Sequence, residues 1–305
     1  MKIKFNPNLD FQLDAIRSIV DIFEGNAVSQ SNFTVSYSYG QRGIEDTELG
    51  IGNRLDKHFD EQNILENVQN IQLRNNVPQS SKIEKNKYNF TVEMETGTGK
   101  TYVYLRTIFE LNRKYGFKKF IIVVPSKAIK EGVIESIRIM TEHFKLLYDN
   151  VPFKAFLYHS QNIEDIREFA TSDQLRLMIM TVQSFERKSE AEERNNVINR
   201  PHERTNGLAP IEFIQNVKPI VIVDEPQTTM STPNRKKAIS KLNPLFTVGY
   251  SATLKEKYHL MYQLNSVDAY RKQLVKQIEI ASVVSRNNNN FAYFKLEQVR
   301  STKTN

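Results

Sequence analysis

The stretch that decides the fold is Glu95-Thr96-Gly97-Thr98-Gly99-Lys100-Thr101. It follows a β-prone run at 88–94 and opens a helix-like segment at 101–115, an order typical of phosphate-binding loops. The two glycines let the backbone form a nest of N–H groups, which faces phosphates together with the helix N-terminus. Lys100 is then expected to supply a charge to the β- and γ-phosphates and Thr101 a hydroxyl ligand for Mg²⁺.

One position of this loop departs from the general pattern. A glycine usually opens the loop, separated by four residues from the Gly-Lys pair, whereas this chain has Met94 there. The alternative interpretation is a chance Gly- and Thr-rich turn. It is disfavoured because Gly-Thr-Gly-Lys-Thr at 97–101 is intact between a strand and a helix.

A second motif lies 124 residues after Lys100, where the apolar run 220–223 ends in Asp224-Glu225-Pro226-Gln227. A strand of a parallel sheet delivers such carboxylates to the carboxyl edge, where ligands bind in these folds. Asp224 is predicted to hold Mg²⁺ and Glu225 to polarise the water that attacks the γ-phosphate. Without the phosphate loop, a strand followed by an acidic turn would explain the motif equally well.

Strands and helices alternate along most of the chain, which predicts an α/β fold with a mostly parallel sheet flanked by helices. The predicted strands are 88–94, 120–124, 153–158, 177–180, 220–223 and 246–249. The predicted helices are 9–24, 63–73, 101–115 and 126–144. Gly25 is expected to end the first of them and Ser126 to cap the N-terminus of the last. The polar stretch 186–209 is interpreted as a surface loop. After Thr253 we predict helices at 256–264 and 267–281, a linker at 287–290 and a β-like run at 291–299.

Composition excludes several classes of protein. The chain has 305 residues, of which 39% are hydrophobic and 25% charged, as in globular proteins. It has no apolar run of about 18 residues and no apolar signal core, so neither a membrane span nor a membrane partner is predicted. It has no cysteine, which excludes disulfides and thiolate metal sites, and its five histidines have no metal-binding spacing. A cytoplasmic location is the simplest expectation, although a chain without cysteine suits any compartment.

The formal net charge is +7 and it is unevenly distributed. Residues 1–254 hold 33 basic and 31 acidic residues, whereas 255–305 hold 9 and 4. An excess of positive charge favours a polyanionic partner such as nucleic acid, with a solvated basic surface as the alternative. Because 1–254 is nearly neutral, we expect DNA contacts through hydroxyls, backbone amides and a few lysines.

Three short stretches of the sequence resemble the motifs of superfamily 2 helicase-like motor proteins. The stretch 96–101 resembles their motif I, 224–227 their motif II, and Ser-Ala-Thr at 251–253 their motif III. With Met94–Thr101 and Val-Pro-Ser-Lys-Ala-Ile-Lys-Glu-Gly at 124–132, the chain resembles the Res subunit of type III restriction-modification enzymes. The resemblance covers essentially the whole chain, including Asp-Phe-Gln-Leu-Asp-Ala-Ile at 10–16 and Gly-Ile-Gly-Asn at 50–53.

The resemblance implies a RecA-like P-loop NTPase domain over 1–254, with an inserted element at about 25–87. The basic segment 255–305 is expected to lead, as a helical tail or linker, toward a second RecA-like domain. That second domain and a nuclease domain are expected in such a subunit and are not visible in this sequence. The chain is therefore interpreted as the N-terminal portion of a larger motor.

The resemblance also assigns roles to individual residues. Gln12 is expected to read adenine, the alternative being a polar residue on the exposed side of the first helix. The remaining nucleotide contacts are expected from Glu95, Thr96, Gly97, Thr98, Gly99, Lys100 and Thr101. Coupling between nucleotide and DNA is expected from Gln227, Ser251, Ala252 and Thr253. DNA contacts are expected from Pro125, Ser126, Lys127, Thr181 and Gln183, although Ser126 suits ordinary helix capping as well.

The implied function is the first motor domain of an ATP- and Mg²⁺-dependent DNA translocase within a restriction endonuclease. The implied partners are double-stranded DNA, the modification (methyltransferase) subunit and the remaining Res domains. The alternatives are the motor of a type I restriction enzyme or a repair helicase, or a nucleotide-gated DNA-binding module without hydrolysis. A small-molecule kinase is disfavoured, because the Asp-Glu strand end with Ser-Ala-Thr is suited to NTP hydrolysis.

Overall fold

A computed structural model describes residues 4–28, 52–85, 88–160, 162–186, 197–201 and 207–275. The strands within these ranges are β1 Asn89–Met94, β2 Lys119–Val124, β3 Phe153–Leu157, β4 Leu175–Thr181, β5 Ile220–Asp224, β6 Phe246–Ser251 and β7 Leu260–Leu264. The α-helices are α1 Asp10–Val20, α2 Glu61–Arg74, α3 Lys100–Tyr115, α4 Lys127–Leu147, α5 Ile163–Thr171, α6 Pro210–Asn216, α7 Pro226–Thr229, α8 Pro233–Lys241 and α9 Ser266–Arg271.

All seven strands lie parallel in one sheet, in the order β3-β4-β2-β5-β6-β1-β7. This confirms the predicted α/β fold. The strands are continuous apolar runs because helices cover both faces of a parallel sheet. Since the strands are parallel, the carboxyl ends of β1, β5 and β6 meet at one edge, which brings the phosphate loop and the Asp-Glu motif together.

Strand β2 shows how the sheet separates two cores. Phe120, Ile122 and Val124 belong to one hydrophobic cluster, while Ile121 and Val123 belong to another. The alternation follows from the two-residue period of a strand. Helices α1, α3 and α4 contribute to the first cluster, and α5, α6 and α8 to the second. The sheet is therefore buried on both sides, and its carboxyl edge is held by packing from two directions.

Several local predictions are confirmed. All six predicted strands are present, the helix predicted at 63–73 is α2, and α1 is followed by a 3₁₀ turn that ends before Gly25. Ser126 caps α4, since its hydroxyl accepts a hydrogen bond from the Ile129 N–H at 3.3 Å.

The helix predicted at 256–264 is wrong. Leu260–Leu264 is strand β7, which pairs in parallel with β1 and extends the sheet beyond residue 254. A short apolar run fits a helix and a strand equally well, and the open edge of β1 selects the strand. The next prediction, a helix at 267–281, is present as the short helix α9, and residues from 276 onward lie outside the described ranges.

Other predictions fall partly or wholly outside the described residues. These are the linker at 287–290, the β-like run at 291–299, much of the inserted element at 25–87 and most of the loop at 186–209. The division at residue 254 and the status of 25–87 as an insertion stay predictions.

Lys119, the first residue of β2, is fully buried. Its ammonium group donates hydrogen bonds to the carbonyls of Phe169, at 2.6 Å, and Ser172, at the C-terminal end of α5. Burial lowers the pKa of Lys119 to about 7, and the charges of Arg176 and Lys118 contribute. In the unfolded chain a lysine keeps its proton up to about pH 10.4, so above pH 7 the unfolded state binds more protons than the folded state.

We therefore expect the free energy of unfolding to rise between about pH 7 and about pH 9, because folding stability increases wherever the unfolded state binds more protons. Lys119→Met should flatten this rise in urea unfolding curves. Lys127→Met is the matched control, since it removes an exposed ammonium group on α4, and it should leave the rise in place. Equal pH profiles for the Lys119 variant and the unsubstituted chain would contradict the prediction.

Candidate nucleotide-binding site

The loop at 95–101 has the backbone that phosphate binding requires. Gly97 and Gly99 have φ angles of +82° and +92°, a region that side chains with a Cβ atom disfavour. A Cβ atom on Gly99 would also lie 2.5 Å from the side-chain nitrogen of Gln12. The Thr98 hydroxyl donates to the Glu95 carbonyl at 2.6 Å and closes the turn. Gly97 faces open space, so the concave side of the loop can receive an anion.

Gln12 lies on α1 and is buried against this loop. Its side-chain N–H donates to the carbonyl of Thr98 at 3.0 Å. The alternative interpretation, a polar residue on the exposed side of the helix, is therefore wrong. The contact fixes the amide beside the phosphate loop, and its proposed contact with adenine stays a prediction.

Lys100 and Glu225 bring the two motifs into contact. Lys100 Nζ lies 3.5 Å from Glu225 Oε1 and donates to the Met94 carbonyl at 3.3 Å. Both side chains are largely shielded, with 13% and 28% of their surfaces exposed, so this ion pair is less screened than one on the surface. The loop lysine and the carboxylate predicted to act on water thus form one unit.

The other oxygen of Glu225 is held by the motif at 251–253. Ser251 Oγ lies 2.6 Å from Glu225 Oε2 and 2.8 Å from Gln227 Oε1, and its single proton is donated to one of them at a time. Gln227 Nε2 donates to Glu225 Oε2 at 2.6 Å, and the Thr253 N–H donates to Ser251 Oγ at 3.1 Å. One hydrogen-bond network therefore joins four of the predicted residues, namely Glu225, Gln227, Ser251 and Thr253. Ala252 lies in the bend between Ser251 and Thr253.

The backbone at Glu225 is strained. Its φ and ψ angles are +48° and +65°, a left-handed conformation that costs about 1–3 kcal/mol for a residue other than glycine. Pro226 follows as the first residue of α7, and Gly249 leaves it space, since a Cβ atom there would lie 3.1 Å from the Pro226 ring. The Glu225 N–H donates to the Tyr250 carbonyl at 2.9 Å. The strain is thus maintained by packing between β5 and β6, and it aims the carboxylate at Lys100.

Asp224 and Thr101 fit the Mg²⁺ ligands that the sequence predicts. Burial raises the pKa of the Asp224 carboxyl to about 6, the Glu225 charge adds to the shift, and Lys100 opposes it. Burial and a neighbouring negative charge both disfavour the ionised carboxyl group, and a nearby cation stabilises it. The described residues contain no cluster of three or more acidic or histidine ligands. Mg²⁺ is usually held by one or two carboxylates, waters and substrate phosphates, and its binding by Asp224 and Thr101 stays a prediction.

Glu95 has a contact that sequence reasoning missed. Its carboxylate accepts from the Ser266 hydroxyl at 2.5 Å and from the Thr96 N–H at 2.7 Å. The hydrogen bond from Ser266, followed by that from Thr96, lowers the pKa of Glu95. The Glu95 N–H also donates to the Leu264 carbonyl at 2.9 Å. The loop is thereby tied to the end of β7 and the start of α9, a link that only the unpredicted strand reveals.

The predicted DNA-contacting residues lie at the carboxyl ends of β2 and β4, which are neighbours in the sheet. The Gln183 side-chain N–H donates to the Pro125 carbonyl at 2.9 Å and joins the two groups. Thr181 Oγ1 lies 2.9 Å from Ser184 Oγ, and Lys127 is exposed on the first turn of α4. Their contact with DNA stays a prediction.

Comparison with known proteins agrees with this geometry. The family model described as type III restriction enzyme, res subunit, matches residues 57–256. The chain belongs to this family. It is 32% identical over 234 residues to the EcoP15I Res subunit of Escherichia coli, covering 72% of this chain and 24% of that protein. It is 28% identical over 295 residues to the EcoPI Res subunit of Escherichia phage P1, covering 90% of this chain and 28% of that protein.

This member of the Res family thus spans about a quarter of the length of those relatives. A solved structure of a nuclease-deletion mutant of the Type ISP restriction-modification enzyme LlaGI, in complex with a DNA substrate mimic, is 16% identical with a TM-score of 0.42. That match covers 69% of this chain and 20% of the LlaGI chain. Among the described residues, no helix is long and apolar enough to cross a membrane.

Proposed function

We propose that this chain is the ATP-binding first motor domain of a DNA-dependent translocase that belongs to a type III restriction endonuclease. The observation that carries the proposal is the contact of Lys100 with Glu225, whose other oxygen is held by Ser251 and Gln227. Lys100 is the first residue of α3, Glu225 and Gln227 follow the end of β5, and Ser251 is the last residue of β6. They meet at the edge where ligands bind in parallel sheets.

Lys100 would exchange partners when ATP binds. In the structure its ammonium group pairs with Glu225, and the phosphates of ATP offer a stronger negative charge at the same edge. Glu225 would then keep its hydrogen bonds to Ser251 and Gln227 while Oε1 becomes available to accept a proton from the attacking water. When bound, Mg²⁺ would neutralise charge on the phosphates, with Thr101 and Asp224 as its protein ligands.

Ser251 would couple this state to DNA. Its hydroxyl contacts both Glu225 and Gln227, so a change in the charge on Glu225 alters which of them it bonds. The ends of β2 and β4, with 125–127 and 181–183, would contact the DNA backbone through hydroxyls and backbone groups. In the complete enzyme, the modification subunit and the further Res domains would supply sequence recognition and cleavage.

We expect the 305-residue chain to bind ATP, to hydrolyse it very slowly, and to bind DNA weakly with strong salt dependence. Phosphoryl transfer commonly needs a cationic finger worth about 10³–10⁵ in rate, and we assign that finger to the second domain. Phosphate release assays with and without DNA, and DNA titrations at several salt concentrations, test this expectation.

Two results would count against the proposal in different ways. A failure to bind any nucleotide would overturn the assignment of the site. Rapid DNA-stimulated turnover by this chain would instead show that a second domain is not required. Tight DNA binding that is insensitive to salt would contradict the proposed backbone contacts.

A further inference from the structure

Tyr104 has a buried hydroxyl group without a hydrogen bond of normal length. It lies on α3, one helical turn after Thr101, and is fully buried. Among the residues that the structure describes, its hydroxyl oxygen is one of the few buried side-chain polar atoms that form no hydrogen bond of normal length, and its contact with the Thr101 side chain is a longer one. A buried hydroxyl group left in this state is costly, so it is expected to serve a state other than the one seen.

The surroundings of this hydroxyl indicate which state that is. The Tyr104 ring lies 5.7 Å from the ring of Tyr250, and Tyr250 is the register partner of Asp224 across β5 and β6. Burial raises the pKa of the Tyr104 phenol, the Asp224 carboxylate adds to the shift, and the long hydrogen bond with the Thr101 side chain opposes it. The two predicted Mg²⁺ ligands thus belong to the surroundings of the Tyr104 hydroxyl.

Tyr250 provides a contrast within the same pair of rings. It is also fully buried, but its hydroxyl donates to Thr107 Oγ1 at 3.3 Å. Thr107 lies on α3, one turn beyond Tyr104 and farther from the phosphate loop. The two tyrosines thus share a packing environment and differ in whether the hydroxyl is already used.

We propose that Tyr104 is a positioning residue whose hydroxyl donates a hydrogen bond to Asp224 when Mg²⁺ and nucleotide are bound. A carboxylate that gives one oxygen to a metal or to its water shell leaves the other in a buried setting, where it requires a donor. The Tyr104 hydroxyl can supply that donor and fix the orientation of the carboxylate. This inference rests on the proposed function, because it needs Asp224 to act on the metal.

The test is Tyr104→Phe in the 305-residue chain, with a fluorescent ATP analogue as the probe. Loss of a hydrogen bond to a metal ligand commonly costs about 10- to 100-fold in metal affinity. We expect the Mg²⁺ concentration for half-maximal nucleotide binding to rise at least about 10-fold. Affinity measured with EDTA should be unchanged. The melting temperature without nucleotide should stay the same or rise, because no hydrogen bond of normal length is lost.

Tyr250→Phe is the matched control and should leave the Mg²⁺ half-point unchanged. An unchanged half-point for Tyr104→Phe would overturn the inference while leaving the proposed function intact. A lower melting temperature for that variant, or its failure to fold, would also overturn it, since the hydroxyl would then have a structural role. If the unsubstituted chain bound no nucleotide, the proposed function and the inference would both fall.

Discussion

Replacing Lys100 with alanine is expected to weaken ATP binding on the order of 10- to 100-fold. A hydrogen bond to a charged group contributes about 1.5–3 kcal/mol, and each 1.4 kcal/mol is about a factor of ten in affinity. Only 13% of the Lys100 side chain is exposed. Solvent therefore screens its charge only weakly, and the full interaction with the phosphates is lost in the variant. Titration of each variant with a fluorescent ATP analogue measures the loss.

Lys114→Ala is the control for this substitution. Lys114 lies on the same helix, α3, but near its far end, where its ammonium group pairs with Asp21 on the surface. Its removal should leave ATP affinity unchanged, because an exposed ion pair at that end contacts no part of the loop. Equal affinities for Lys100→Ala and Lys114→Ala would refute the assignment of residues 95–101 as a phosphate loop.

The largest expected effect on stability comes from Asn53, which is 2% exposed. Its amide nitrogen donates to the carbonyls of Lys119, at 2.8 Å, and Lys218, at 3.2 Å. Its amide oxygen accepts from the N–H groups of Lys118, at 2.8 Å, and Lys119, at 3.2 Å. One side chain therefore uses its full hydrogen-bonding capacity to join the amino ends of β2 and β5.

We expect Asn53→Ala to lower the free energy of unfolding by about 3–5 kcal/mol, because four hydrogen bonds are lost in a buried position and the backbone groups left behind are unsatisfied. Urea unfolding followed by circular dichroism measures the change. The control is Asn63→Ala, which removes a half-buried side chain that accepts from the Asp60 N–H in the first turn of α2. That control should cost only about 0.5–1 kcal/mol, and a similar small cost at Asn53 would contradict the prediction.

Asn53 also gives a physical meaning to the stretch 50–53, whose resemblance to the family carried no role. Its described residues, Gly52 and Asn53, lie at the amino edge of the sheet, opposite the nucleotide site. A Cβ atom on Gly52 would lie 2.8 Å from the Val217 carbonyl oxygen, and the Asn53 N–H donates to that same oxygen. A stretch for which the resemblance suggested no role thus serves to hold the strands in place.

Local signals made much of the site predictable. A Gly-Lys-Thr loop between strand and helix, and an apolar run that ends in Asp-Glu, depend on residues close in sequence. Parallel strands then bring their carboxyl ends to one edge. For this reason the sequence predicts that the two motifs form one site, and the 3.5 Å contact between Lys100 and Glu225 agrees with that expectation.

The sequence by itself determined the turn at 95–101, six of the strands, the cap at Ser126 and the meeting of the two motifs at one edge of the sheet. Each of these depends on neighbours in the chain or on the parallel arrangement of strands. Only the tertiary structure decided that 260–264 is a strand, since the open edge of β1 chose between two conformations that suit the same residues. It also decided the partners of Asn53 and the bond between Ser266 and Glu95, 171 residues apart. Contacts at such separations depend on where the folded sheet brings side chains together, and no local pattern encodes them.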